Sequence, residues 1–175
     1  MNYTPENSQI LFTEEQIQSR IEELGKKITN DFAGKSLTML VVLKGSFIFA
    51  SDLARHIKLP MNIEFIGLRS YGDRISSSGV VEITMDLKHP IKDEEVLIVE
   101  DIVDTGLTID YLIKNLKTRA PKNIYLASLL HKKEMTKLPV KIDYLGFEVP
   151  DKFVVGYGLD HAGKYRNLPF ITHIL

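Results

Sequence analysis

The sequence predicts an α/β protein, a mostly parallel β-sheet flanked by helices. Three observations predict it. Short continuous apolar runs, the pattern of strands covered on both faces, recur at 38–43, 96–99 and 124–130. Stretches with apolar residues at helical spacing alternate with them, as in βαβ units. Six of the seven prolines (Pro60, Pro90, Pro121, Pro139, Pro150 and Pro169) fall at junctions, where a missing N–H breaks no ladder.

Each element has a local reason. Thr13-Glu14-Glu15-Gln16 reads as a capping box, in which the Thr hydroxyl and the Gln side chain satisfy orphan backbone donors. Ile17, Ile21, Leu24 and Ile28 follow at helical spacing, giving an amphipathic helix over about 14–31. The run 38–43 is a buried strand and 47–57 a helix. A strand over 61–68 leads into the polar segment 69–79, which contains Ser76-Ser77-Ser78-Gly79, and 80–85 is another strand. The most apolar strand, 96–99, runs into acidic residues and a glycine turn. Ile109, Leu112, Ile113 and Leu116 then mark a helix, and strands follow at 124–130 and 144–149.

Composition narrows the function classes. The 175 residues suit one domain with a sizeable core. A net charge of −1 offers no bulk attraction for nucleic acid or an anionic membrane. The absence of cysteine excludes a disulfide scaffold, a thiolate metal site and a cysteine nucleophile. His56, His89, His131, His161 and His173 make no H-x-x-x-H spacing, which argues against a His-ligated transition metal. The first residues lack a basic and apolar signal pattern, and no apolar run is long enough to cross a bilayer, so a cytoplasmic protein is expected.

In sheets of this kind ligands bind beyond the carboxyl ends of the strands, which directs attention to the loops after Leu43, Val99 and Leu130. The segment 96–108, VLIVEDIVDTGLT, carries most of the chemistry. Its strand ends in two carboxylates, Glu100 and Asp101, and Asp104-Thr105-Gly106-Leu107-Thr108 opens a helix. A helix N-terminus presents unpaired N–H groups and the positive end of a dipole, a ready phosphate site. Gly106 permits close backbone approach, and the Thr105 and Thr108 hydroxyls add donors. Carboxylates beside a phosphate repel it, so Glu100 and Asp101 suit sugar hydroxyls or a bridging Mg²⁺. The plainer reading is a helix capped by Asp104 or Thr105, with the acids as solvated charges. That reading leaves the acidic pair unexplained. No G-x-x-x-x-G-K-[ST] is present, and Gly156-Tyr157-Gly158 fails as a dinucleotide motif because His161 stands in the last glycine position.

The order of apolar strand, two acids, two apolar residues and Asp-Thr-Gly-x-Thr resembles the phosphoribosyl-pyrophosphate signature of type I phosphoribosyltransferases. The likeness extends over about 37–170 and is similar in particular to hypoxanthine–guanine phosphoribosyltransferases of bacterial length. It implies the type I fold: one domain over 1–175, with a core at about 35–150. A small hood would come from the N-terminal segment and about 150–175. It implies pyrophosphate binding at Lys44 and Gly45 through exposed backbone amides, in a loop with a cis Leu43–Lys44 peptide, and by Arg166. Ser70 and Tyr71 would belong to a lid. Lys132, Lys152, Phe153 and Val154 would bind the base, with Phe153 stacked on it and Lys132 reaching its 6-oxo group. Glu100, Asp101 and Asp160 would hold Mg²⁺, Asp104 to Thr108 the 5′-phosphate, and Asp104 would be the general base for purine N7. Leu107 fills the variable slot of the phosphate turn, and Ser46 replaces a second glycine found in some relatives.

The resemblance implies transfer of the phosphoribosyl group of phosphoribosyl pyrophosphate to N9 of hypoxanthine or guanine, by a homo-oligomer that engages neither nucleic acid nor membrane. The competing class is a nucleic-acid-binding regulator on the same fold, which needs a basic surface or an added module. An adenine- or pyrimidine-specific transferase shares the phosphate signature but fits Lys132 and Phe153 less well.

Overall fold

A computed structural model describes residues 4–71 and 80–175. The chain enters through β1 (Ser8–Phe12) and α1 (Glu14–Asp31), then β2 (Leu37–Leu43), α2 (Phe47–His56), β3 (Asn62–Tyr71) and β4 (Val80–Met85). β5 (Glu95–Val103), α3 (Leu107–Lys117), β6 (Asn123–His131) and β7 (Tyr144–Glu148) follow, and β8 (Val154–Val155) and β9 (Ile171–Ile174) close the chain. Six strands form one sheet in the order β4-β3-β2-β5-β6-β7. Every neighbouring pair is parallel except β3 with the edge strand β4.

The sheet is central because its middle strands are apolar on both faces. Along β2, Leu37 to Val42 are all buried, and alternate residues serve opposite sides. Met39 and Val41 pack with Ile17, Ile21 and Ile28 of α1 and Phe49 and Leu53 of α2. Leu40 and Val42 pack with Ile109, Leu112 and Leu116 of α3. Each such side chain contributes about 1.5–3 kcal/mol by leaving water. The Thr13–Gln16 capping box is present, with both reciprocal hydrogen bonds.

A second, antiparallel sheet in the order β1-β9-β8 joins the two ends of the described chain. Its Val154 and Ile171 belong to the same apolar cluster as α1. Periodicity does not reveal these strands, because two to five residues are too few to establish an alternation.

Two boundaries differ from the sequence reading in ways that matter for the site. β5 does not stop at Val99; it pairs with β6 as far as Val103↔His131, so Glu100 and Asp101 lie inside the strand. Ladder hydrogen bonds need a neighbouring backbone, not an apolar side chain, and β6 supplies one. β3 likewise runs to Tyr71 because β4 folds back antiparallel against it.

Candidate functional site

Parallel pairing brings the ends of β2, β5 and β6 to one edge of the sheet. The residues singled out in the sequence come largely from there.

At the centre, the chain turns from β5 into α3. Gly106 holds the N-cap position at φ 84°, and no side chain caps the helix among the described residues. Neither Asp104 nor Thr105 is therefore the cap. Thr105 Oγ1 accepts only a long bond, 3.4 Å, from the Leu107 N–H, and the helical ladder starts with Asp110 N–H donating to the Gly106 carbonyl at 2.9 Å. The first-turn amides and the positive helix end thus border an open cavity of about 160 Å³, lined by Glu100, Ile102, Val103, Asp104, Thr105, Gly106, Thr108 and Ile109. The Thr105 carbonyl braces the turn by accepting from the Lys137 and Leu138 amides, at 3.0 and 3.3 Å.

Glu100 is buried at 7% exposure, and its Oε1 accepts the Asp101 N–H at 3.1 Å. Burial, and then the neighbouring Asp101 charge, push the Glu100 carboxyl well above the usual carboxylate range. Asp101 Oδ1 accepts the Ile102 N–H at 2.8 Å, and its carboxylate packs directly on Gly45. A cation or sugar hydroxyls between such acids would relieve their repulsion.

Asp104 has one oxygen, Oδ1, buried with no hydrogen-bond partner, while Oδ2 lies 3.9 Å from Lys132 Nζ. Lys132 is 12% exposed at its side chain and also pairs with Asp151 Oδ1 at 3.1 Å. It therefore links the turn to the segment leading into β8. The Leu43–Lys44 peptide is cis, Lys44 is exposed, and Gly45 is buried between Asp101 and Gly158.

The C-terminal segment adds a compact charged pair. Arg166 Nη2 lies 2.6 Å from Asp160 Oδ1, and its Nη1 donates to the Gly158 carbonyl at 2.6 Å. Asp160 Oδ2 accepts the Gly163 N–H at 2.8 Å. Phe153 is half-buried and meets His161 edge-on, with ring centroids 5.2 Å apart, while Val154 is buried in β8. Lys152 lies beside them, but its ammonium donates to Nε2 of the buried His173 at 2.9 Å and so faces β9. The lid expectation, which rests on the Ser70 and Tyr71 side chains and on 72–79, lies outside the described residues.

Among the described residues no three acidic or imidazole side chains converge as a metal cage. Mg²⁺ does not require one, since it commonly takes one or two carboxylates and completes its shell with water and phosphate oxygens. The hard oxygen donors of Glu100 and Asp101 fit that habit.

Residues 8–162 match the family described as Phosphoribosyl transferase domain. The chain belongs to that family. Among its relatives, the hypoxanthine-guanine phosphoribosyltransferase of Dictyostelium discoideum is 47% identical over 170 residues, covering 95% of this chain and 94% of that one. The enzyme of the same name from Bacillus subtilis is 43% identical over 162 residues, covering 93% and 90%. The crystal structure of a hypoxanthine phosphoribosyltransferase from Staphylococcus aureus superposes with a TM-score of 0.92 at 40% identity, covering 95% of this chain and 91% of that one. The phosphoribosyltransferase fold expected from the sequence is therefore the fold observed, with the mixed edge β3–β4 as its one antiparallel pair in the main sheet.

Sequence reading missed several parts of this candidate site. Asp151, the partner of Lys132, and the 137–138 amides beneath the phosphate turn gave no signal, because each acts across a fold contact and not within a motif. The Gly156-Tyr157-Gly158 string, rightly rejected as a dinucleotide motif, shapes a tight loop instead. Both glycines adopt positive φ, 99° and 102°, and both face backbone carbonyls too close for any Cβ.

Proposed function

We propose that this phosphoribosyltransferase joins hypoxanthine or guanine, through N9, to the ribose 5-phosphate of phosphoribosyl pyrophosphate, releasing pyrophosphate and forming IMP or GMP. One observation carries the reading: an uncapped helix N-terminus behind Asp104–Thr108, opening on a small cavity with two carboxylates alongside. The names of relatives sharing 43–47% identity over nearly the whole chain support the choice of a 6-oxopurine. The regulatory alternative gains no support from those relatives.

In this reading the amides of the Asp104–Thr108 turn and the Thr hydroxyls hold the 5′-phosphate, and Glu100 and Asp101 fix the ribose hydroxyls. Glu100, Asp101 and Asp160 are the oxygen donors proposed for Mg²⁺, not as one three-carboxylate cage but with water and phosphate oxygens completing the shell. The ion when bound supplies charge neutralisation for the departing pyrophosphate. The Lys44–Gly45 turn and Arg166 bind that pyrophosphate. Phe153 stacks on the base, the Val154 backbone and Lys132 read its polar edge, and Lys152 supports the same segment from its bond to His173. Asp104 accepts the proton from purine N7. Its side chain is half exposed at the mouth of the cavity, with Oδ2 3.9 Å from Lys132 Nζ, which leaves the carboxylate free to meet a substrate proton.

The small sheet of β1, β9 and β8 acts as the hood over the base and works with the core as one unit, supported by their shared apolar cluster. The active form is a homo-oligomer, a reading supported by the exposure of Phe47, Ile63, Phe65 and Met85 at 42–45%. No helix of the described residues is long and apolar enough to cross a membrane, and the working place proposed is the cytoplasm.

A spectrophotometric assay with phosphoribosyl pyrophosphate, Mg²⁺ and each of hypoxanthine, guanine, xanthine and adenine tests the function. Turnover with hypoxanthine or guanine and stoichiometric pyrophosphate release is expected. Turnover confined to adenine, or none with any base, would overturn it.

A further inference from the structure

Tyr157 sits in the loop after β8, 2% exposed, and is a non-glycine residue at φ 51°. A side chain in that backbone region persists only where its surroundings over-determine it. Here the surroundings are polar. The phenol donates to Asp52 Oδ2 on α2 and accepts from Gln18 Nε2 on α1 at 3.2 Å. Gln18 Nε2 also reaches the same Asp52 oxygen at 3.1 Å, and Arg55 pairs with the other one. Burial, and then the bond to Asp52, raise the phenol above its ordinary titration range and keep it a donor.

The next residue connects this triad to the proposed pyrophosphate end. Gly158 lies so near Gly45 that a Cβ on it would be 2.0 Å from the Gly45 carbonyl oxygen. The Gly158 N–H donates to the Arg166 carbonyl at 2.9 Å, and its own carbonyl receives Arg166 Nη1. α2 starts directly after the Lys44-Gly45-Ser46 turn, so Asp52 anchors the helix that carries that turn. One phenol therefore ties both walls of the pyrophosphate region to each other and to α1.

We propose that Tyr157, held by Asp52 and Gln18, is a positioning residue that sets the pyrophosphate-binding loop at Lys44–Gly45 against the Asp160–Arg166 pair. It touches no reacting group and acts through Gly158. The proposal rests on the assignment of Lys44, Gly45 and Arg166 to pyrophosphate.

The test is Tyr157→Phe, which keeps the ring and removes the hydroxyl. Losing a buried hydrogen bond at a binding wall is expected to raise KM for phosphoribosyl pyrophosphate, and Kd for Mg²⁺-pyrophosphate, about five- to tenfold. KM for the purine should stay near wild type, and the thermal midpoint should fall by no more than a few degrees. Asp52→Asn retains an oxygen for the phenol and should recover more pyrophosphate affinity than Asp52→Ala. Unchanged pyrophosphate affinity in Tyr157→Phe, or an equal rise in both KM values with a midpoint lowered further than that, overturns the positioning role. Arg166→Ala separates the two claims. If it leaves pyrophosphate affinity intact, the assignment beneath the proposal is wrong; if it weakens affinity while Tyr157→Phe does not, only the clamp fails.

Discussion

Gly45 and Asp101 occupy adjoining space so completely that a Cβ on the glycine would stand 1.5 Å from Asp101 Oδ2. The loop after β2 and the acidic end of β5 are thus fitted to each other through a residue with no side chain. Gly45→Ala must turn the Asp101 carboxylate aside. The displaced group is a short carboxylate whose Cγ would stand 2.5 Å from the added Cβ and whose Oδ1 holds the Ile102 N–H, so stability should fall by about 1–2 kcal/mol. Activity should fall by about 10²-fold, the cost of a misplacement near 1 Å. Urea denaturation and steady-state kinetics on one preparation check the split.

Gly106→Ala should behave differently. The obstacle there is backbone, the Leu138 carbonyl oxygen at 2.8 Å from the added Cβ, and φ is 84°. Strain of about 1–3 kcal/mol is expected. The phosphate turn would shift with it, so KM for phosphoribosyl pyrophosphate should rise together with the loss of stability, measurable by thermal denaturation and initial rates.

Asp104→Asn keeps the shape of the turn and removes the proposed proton acceptor. A loss of about 10²–10⁴-fold in kcat is expected for a general base. KM for phosphoribosyl pyrophosphate should change little. Wild-type turnover of hypoxanthine in this variant would remove Asp104 from the acid–base role.

A pH effect is expected far from the site. Arg119, after α3, pairs with Asp86, after β4, through two bonds of 2.7 and 3.1 Å. That pairing lowers the Asp86 pKa below its ordinary 3.8. A carboxylate with a lowered folded pKa contributes stability above its unfolded value and loses it as pH falls through the folded one. Asp86 is half exposed, so solvent screening limits the contribution to about 1 kcal/mol or less. Asp86→Asn should therefore be slightly less stable than wild type at pH 7, and the difference should shrink as pH falls below 3.8 through the lowered folded pKa, as read by denaturant midpoints.

The layers of this fold were legible where chemistry is local. The capping box at Thr13 and the stripe from Ile17 to Ile28 specify α1 on their own, and the apolar runs mark the inner strands. The turn from β5 into α3 was legible as a motif, because strand, acids, glycine and helix start all lie within thirteen consecutive residues. The far end of β5 was not, since Glu100 to Val103 stay in the sheet only because β6 lies alongside. Tyr157 was hidden for a related reason. Its meaning depends on Gln18 and Asp52, which are 139 and 105 residues away in sequence and offer no motif of their own.

The connection from β6 to β7 has a consequence for variation. It leaves β6 at Lys132, opposite Asp104, and within six residues passes beneath Gly106 at Leu138. A single short stretch is thereby geared to both the proposed base end and the proposed phosphate end of the site. Lengthening or trimming it would move the two contact points in concert, so exchange of base preference is easier by replacing side chains along this stretch than by altering how many residues it holds.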